Sequence, residues 1–344
     1  QVFPELDKHY KWMSRWHTTG YLVPYVLHGK EHPEYYAKDE RGHSTALRGF
    51  VDSHKLHICM TNEDARRVFL KNLLTWIERL PEHVRFFSIT PADGWDYCQC
   101  PRCKSRCATP GNYTDLVMEF SNFMAREVAK KHPDKILMTL AYGSVTEAAP
   151  TKVRPEPNVM IFLCPYMTGP CRYHTLRCDR NRKYYETSYK PWTETVDPAQ
   201  LAVYDYPGAS GMGFTHWAFT QRVKMYAADG LRGLYLLNCP EFMNGLFVYF
   251  MGRLTWDPSL DPLQLQHNYL VSYYGPAADD VNQLVELLKA NTIDNPANHS
   301  RDLGKKLTPA ALTIVENAKR SCAGRQPYLD RVRDIEAFVL YEDL

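Results

Sequence analysis

Several things are scarce or missing from these 344 residues, and each absence removes a class of function. No apolar run approaches the ~18 residues that cross a bilayer as a helix, so no membrane span is expected. Neither sign of charge is in excess, with 41 basic residues against 39 acidic ones. Without a basic field or a block of like charge, neither nucleic-acid binding nor a charged tail is expected. The glycine-rich stretch PGASGMG (Gly208, Gly211, Gly213) is followed by no Gly-Lys-Ser/Thr and lacks a dinucleotide spacing, which argues against a phosphate-cradling loop. Gln1 opens no secretory leader, as in a mature or trimmed chain.

What is present is an apolar fraction of 44%, ample for one large barrel or two ordinary domains. Short β-rich runs alternate with amphipathic helices. The runs lie at Tyr21–His28, Lys55–Met60, Phe86–Thr90, Ile136–Tyr142, Val159–Pro165, Leu201–Tyr206 and Gly233–Leu237. Helices are expected over 63–80, 114–132 and 214–229, and again at about 243–254, 262–274, 277–291, 308–322 and 326–343. Asn62 or Thr61 caps the first of these. Residues 30–54 and 166–191 read as loops. Alternation of this kind implies a parallel sheet. The expected fold is therefore an α/β (β/α)8 TIM-type barrel over residues 1–258, lacking or borrowing its first strand. A helical extension over 259–344 would pack on it.

If the strands are parallel, their C-terminal ends converge on one mouth. His28 ends the first run and Asn62 follows the second. Asp93, Trp95 and Asp96 follow the third, and Tyr142 ends the fourth. Asp205 and Tyr206 end the sixth, and Asn238 and Glu241 follow the seventh. A lone strand-end Asp is more often a cap or turn former than a catalyst, so the weight lies on the set. Carboxylates between aromatic walls suit glycoside hydrolysis, which needs an acid and a nucleophile, base or stabiliser. With a 2-acetamido sugar, the substrate's own carbonyl attacks and a second carboxylate orients it. Asp93 is the first candidate, Glu241 the second, then Asp205 and Asp96. Trp95 and Trp217 are candidate sugar-stacking surfaces; Trp192 and Trp256 read as core.

The ten cysteines cluster around 98–107 and 164–178. Cys98, Cys100, Cys103 and Cys107 could hold a structural zinc, pair in disulfides with Cys59 as a partner, or remain buried thiols. Disulfides are placed ahead of zinc, which favours an oxidising compartment. In each reading the role is structural, stiffening the loop that carries Asp93. The sequons Asn112-Tyr-Thr and Asn298-His-Ser are weak signals, since such triplets arise by chance.

The stretch SITPADGWDYCQCPRC resembles the domain-of-unknown-function family 4838. HPEYYAKDERG, LHICMTNED, LAVYDYP, ADGLRGLYLLN, YFMGRLTWDPSLD, YYGPAA and YLDRVRDIEAF extend the likeness over nearly the whole chain. That family is similar to glycoside hydrolase family 163, whose members are (β/α)8 barrels. The resemblance implies endo-β-N-acetylglucosaminidase-like action on complex N-glycans. It is also distantly like the β-hexosaminidases. Asp93 would then sit at the fourth strand, Asp205 and Tyr206 at the seventh, and Glu241 at the eighth. The hexosaminidases carry an adjacent Asp-Glu pair where Ala92 precedes Asp93 here, which shifts weight for the acid towards Glu241.

The expected protein is a secreted, periplasmic or cell-surface glycosidase with an oligosaccharide or glycoprotein glycan as its partner and no cofactor beyond a structural zinc. One alternative is a uronidase-like enzyme with Arg48, Arg172 or Arg177 for the sugar carboxylate. Others are a non-catalytic glycan-binding barrel and a structural zinc protein.

Overall fold

A computed structural model describes residues 16–48, 54–165, 175–206, 216–237, 244–292 and 301–341. Its described strands number five, not eight: β1 (Phe86–Ser88), β2 (Ile136–Ala141), β3 (Val159–Leu163), β4 (Leu201–Asp205) and β5 (Gly233–Leu236). They follow one another across one sheet in chain order. β1, β2 and β3 pair in parallel, with Phe86 opposite Ile136 and Leu137 opposite Val159. The closed eight-stranded barrel is therefore corrected to an α/β fold on a five-stranded sheet.

Two of the expected strands do not form, the first for a local reason. Tyr21–His28 is not extended. Thr19–Leu22 and Tyr25–His28 form helical turns, and Pro24 caps the second with φ −67° and ψ 128°. A proline has no N–H for a ladder and suits a helix start, so the β-rich composition loses to it. Residues 56–60 are buried, but this segment makes an isolated antiparallel bridge, Ile58 to Tyr36, instead of joining the sheet. The expected loop at 166–191 is also corrected within its described part. Asp179–Tyr184 is an α-helix that runs on as a π-type turn, Tyr185–Tyr189.

The helical expectations hold to within a few residues, except that the helix expected from 308 begins at Arg301. α1 (Glu63–Arg79) starts at Asn62, whose side chain accepts the Ala65 N–H at 2.9 Å. Ala65, Phe69, Leu73 and Ile77 recur at four-residue steps and are buried. α2 (Thr114–Ala129) buries Val117, Phe120, Met124 and Val128. The Asp115 carboxylate at its start accepts bonds from the Thr151, Lys152 and Val153 N–H groups and fastens the loop before β3.

The chain divides into two compact units, residues 1–164 with 190–202, and residues 165–189 with 203–344. The first unit carries β1, β2, β3, α1 and α2. The second carries α3 (His216–Ala228), α4 (Asn244–Trp256), α5 (Pro262–Tyr274), α6 (Ala278–Thr292), α7 (Arg301–Ser321) and α8 (Gln326–Tyr341). Its core interleaves Phe219, Phe250, Leu270, Val285, Val315 and Ile335 from these six helices.

Candidate functional site

The first unit places its titratable groups where β1 and β2 end. After Ser88 the chain leaves the sheet through buried Ile89 to Ala92 and reaches Asp93, whose side chain is 33% exposed. The Asp93 N–H donates to the His54 carbonyl at 2.8 Å. Gly94, at φ +113°, then turns the chain outwards, a conformation open to a residue without Cβ. Two imidazoles flank the carboxylate: His17 Nε2 lies 4.0 Å from Oδ1, and His54 Nε2 lies 3.8 Å from Oδ2. The two rings meet edge-on at 4.9 Å.

His17 is the positive-φ non-glycine residue among the described residues, at φ +64°. A side chain is held in that region only when its surroundings demand it, and such strain gathers at functional sites. Its Nδ1 lies 2.8 Å from the Pro91 carbonyl. A carbonyl only accepts, so Nδ1 carries the hydrogen and Nε2 turns a bare lone pair towards Asp93. Burial lowers the pKa of His17, outweighing the Pro91 and Asp93 contributions that raise it. A neutral imidazole with its lone pair facing a carboxyl can take a proton from it and return it.

An aromatic shelf adjoins this group. Tyr142, just past β2, lies 5.8 Å from the His17 ring and stacks on Trp95 at 5.9 Å and 13°. Trp95 is 48% exposed and turns its indole to solvent. The shelf depends on Gly143, at φ +64°, because a Cβ there would overlap the Trp95 ring. Gly143→Ala is therefore expected to evict Trp95 and to cost about 1–2 kcal/mol. A double-mutant cycle checks it: in a Trp95→Ala background the cost should shrink to the backbone part. An unchanged cost would mean that the contact does not matter.

Glu147, beyond the shelf on the same loop, was not foreseen. Burial alone pushes its carboxyl up to about 7. Nothing in the sequence marks it, because the shift comes from tertiary burial. His17 and His54 were equally invisible, since they meet Asp93 from distant parts of the chain.

The other expected residues are placed differently. Asp96 is exposed on the loop. Asn62 spends its side chain on the α1 cap and on donating to the Glu34 carbonyl. His28 lies with the rings of His32 and Tyr35. Asn238 and Glu241 lie outside the described residues, as does Arg172; Arg177 is exposed. In the second unit Trp217 packs on the helical core under the Lys289 ammonium, 4.0 Å from the ring centre. Asp205 is buried and accepts from Arg222 Nε at 2.8 Å and from the Tyr206 N–H at 2.8 Å. Both of its oxygens are engaged, as expected for a structural carboxylate. Tyr206 is buried, with its ring 5.1 Å from Tyr204. Asp205 and Arg222 help to line an open pocket of about 550 Å³ with Tyr184, Tyr185, Tyr189 and Tyr226.

Among the described residues Cys59, Cys98, Cys100, Cys103, Cys107, Cys178 and Cys322 are thiols outside any disulfide. Cys59, Cys98, Cys100 and Cys103 gather with their sulfurs within 4.8 Å of one another, a group that could hold a metal ion. Cys59 takes the place expected for Cys107, which instead directs its sulfur to the Cys103 carbonyl at 3.5 Å. The Cys103 thiol next to Cys59 holds the Cys59 thiol far below its ordinary range.

The family is decided by a match over residues 4–286. The chain belongs to the family described as Domain of unknown function (DUF4838). The Asp93 group, the shelf, the four clustered cysteines and all five strands fall within the matched span. No curated protein matches this DUF4838 chain.

Proposed function

We propose that this protein is a glycoside hydrolase acting on N-acetylhexosamine linkages, β-GlcNAc in complex N-glycans foremost, outside the cytosol. The observation that carries the reading is Asp93, half-exposed between His17 and His54 and beside the Trp95–Tyr142 shelf. A flat exposed indole offers a sugar ring an apolar face, and a carboxyl beside it can address the glycosidic oxygen. The strain at His17 supports the reading, because it holds one imidazole against the carboxyl.

In this mechanism the sugar ring stacks on Trp95. Asp93 gives its proton to the leaving oxygen, while the acetamide carbonyl of the substrate attacks the anomeric carbon. Water then opens the cyclic intermediate, giving up its proton to the Asp93 carboxylate. His17, with Nε2 4.0 Å from Oδ1, holds the carboxyl in place while Asp93 gives up and regains its proton. Glu147, on the loop beyond Tyr142, is a candidate to orient the acetamide, its carboxylate accepting the acetamide N–H. The cysteine cluster is structural in this reading and stiffens the loop that carries Asp93.

The test is mass spectrometry of the products from a mixture of complex N-glycans. Wild type should release fragments ending in N-acetylhexosamine, and Asp93→Asn should be ~10²-fold slower or worse. Glu147→Gln should slow the same reaction if Glu147 orients the acetamide. A wild type that releases nothing from neutral, sialylated or uronate-bearing glycans would overturn the hydrolase reading. Retained glycan binding in that case would leave a binding module.

A further inference from the structure

We propose that Cys59, Cys98, Cys100 and Cys103 form a tetrahedral four-thiolate site for a single structural zinc ion. The inference stands apart from the hydrolase reading, because metal content is measured without any substrate.

Distances carry the argument. The Cys59 sulfur lies 3.8 Å from that of Cys100 and 3.8 Å from that of Cys103. A disulfide needs its sulfurs at about 2.05 Å and would draw Cys59 towards one partner. Equal spacing to two sulfurs is what a shared central ion produces. Zinc–sulfur bonds of about 2.3 Å in a tetrahedron put the sulfurs about 3.8 Å apart. The four sulfurs lie within 4.8 Å of one another, so a small inward movement completes the shell.

The donor set is also right chemically. Four sulfur ligands with no histidine or carboxylate favour a closed structural site over a catalytic one, which keeps a position open for water. Three of the four cysteines are buried and the fourth is half-buried. Surrounding donors suit thiolates. The Lys38 N–H points at the Cys98 sulfur at 3.4 Å, and the Thr61 hydroxyl lies 3.2 Å from the Cys103 sulfur. A zinc with four thiolates carries two net negative charges. Arg66, anchored through its Nε–H to the Met60 carbonyl, is close enough to Cys103 and Cys59 to sense their charge.

The ligands come from separated stretches. Cys59 follows Ile58, which is bridged to Tyr36. Cys98 and Cys100 lie on the loop that begins at Asp93, and Cys103 lies on the one-turn helix Pro101–Lys104. The ion would therefore fasten the far end of the Asp93 loop to the segment before α1. No spacing rule that looks only at residues 98–107 would find this set.

Element analysis of the purified full-length chain tests it. Wild type should hold about one zinc per chain. Cys59→Ser and Cys103→Ser should fall to a tenth of that or less, and Cys107→Ser should keep it. If the serine variants fail to fold, the wild-type stoichiometry and Cys107→Ser still decide. Stripping the metal should lower the unfolding temperature by ~10 °C. A metal-free wild type, a disulfide among these cysteines by intact mass, iron in place of zinc, or zinc lost from Cys107→Ser would each overturn the proposal.

Discussion

Acidification from about pH 6.5 to about pH 4 is expected to remove roughly 3 kcal/mol of stability at each of two buried histidines. Burial is the main cause that pushes His57 down to about 3, and the nearby His17 adds to it. Burial likewise takes His216 to about 3, against the raising effect of its hydrogen bond to Gln266 and with Lys289 pushing the same way. In the unfolded chain both would titrate near their ordinary value of 6.5. Between the two values the unfolded state binds more protons than the folded state. Stability is therefore complete above about 6.5 and falls as the pH drops towards about 3. The figure is an upper one, because relaxation and water entry soften the cost of a buried charge.

Denaturant unfolding at several pH values checks this, with His57→Phe as the comparison. Neither buried ring nitrogen of His57 makes a well-formed hydrogen bond, and the Gly94 backbone, as an acceptor, adds only a minor raising effect. The ring lies 4.6 Å from that of Tyr97, tilted at 46°, so an apolar aromatic ring fits the site. The variant should flatten the pH slope by about 1.4 kcal/mol per pH unit. Equal slopes for the two proteins would refute the account.

Arg222→Met is expected to cost about 3–5 kcal/mol, because it strands the buried Asp205 carboxylate. The Asp205 side chain is 4% exposed and that of Arg222 is 11% exposed. Burial is the largest single effect and works against the guanidinium charge, but Asp205 and Tyr226 together outweigh it and hold the Arg222 pKa above its ordinary value. The fork geometry matters: Nε reaches Oδ2 at 2.8 Å and Nη2 reaches Oδ1 at 3.4 Å. Lysine offers a point charge, so Arg222→Lys should restore only part of the loss. Replacing both partners, Asp205→Leu with Arg222→Met, should recover most of it, because no unpaired charge then remains. Chemical unfolding of the three variants measures this. A single variant that costs under about 1 kcal/mol would show that solvent reaches the carboxylate.

The comparison of Asp93 with Asp205 shows why strand-end carboxylates could not be ranked from the chain alone. Asp93 follows one β-rich run and Asp205 lies at the end of another. Asp93 ends half-exposed between two imidazoles, whereas Asp205 ends inside an ion pair with a residue seventeen positions later on α3. Their neighbours come from distant segments, and no local pattern encodes that. Asn62 is the opposite case. Its position before Glu63 and Asp64 already marked a helix start, and the side chain is committed to that cap.

By itself the sequence determined the long amphipathic helices, the five β-rich runs that became strands, the family, and the loop from Asp93 to Cys103 as the chemically dense stretch. These rest on periodicity, on capping and on motif spacing, all of which act within a few turns of chain. Only the tertiary structure decided that Tyr21–His28 is helical, that the described strands form a five-stranded sheet, that Cys59 replaces Cys107, and that His17 and His54 meet Asp93. Burial, desolvation and long-range pairing settle those matters, and they depend on which surfaces come together rather than on which residues follow one another.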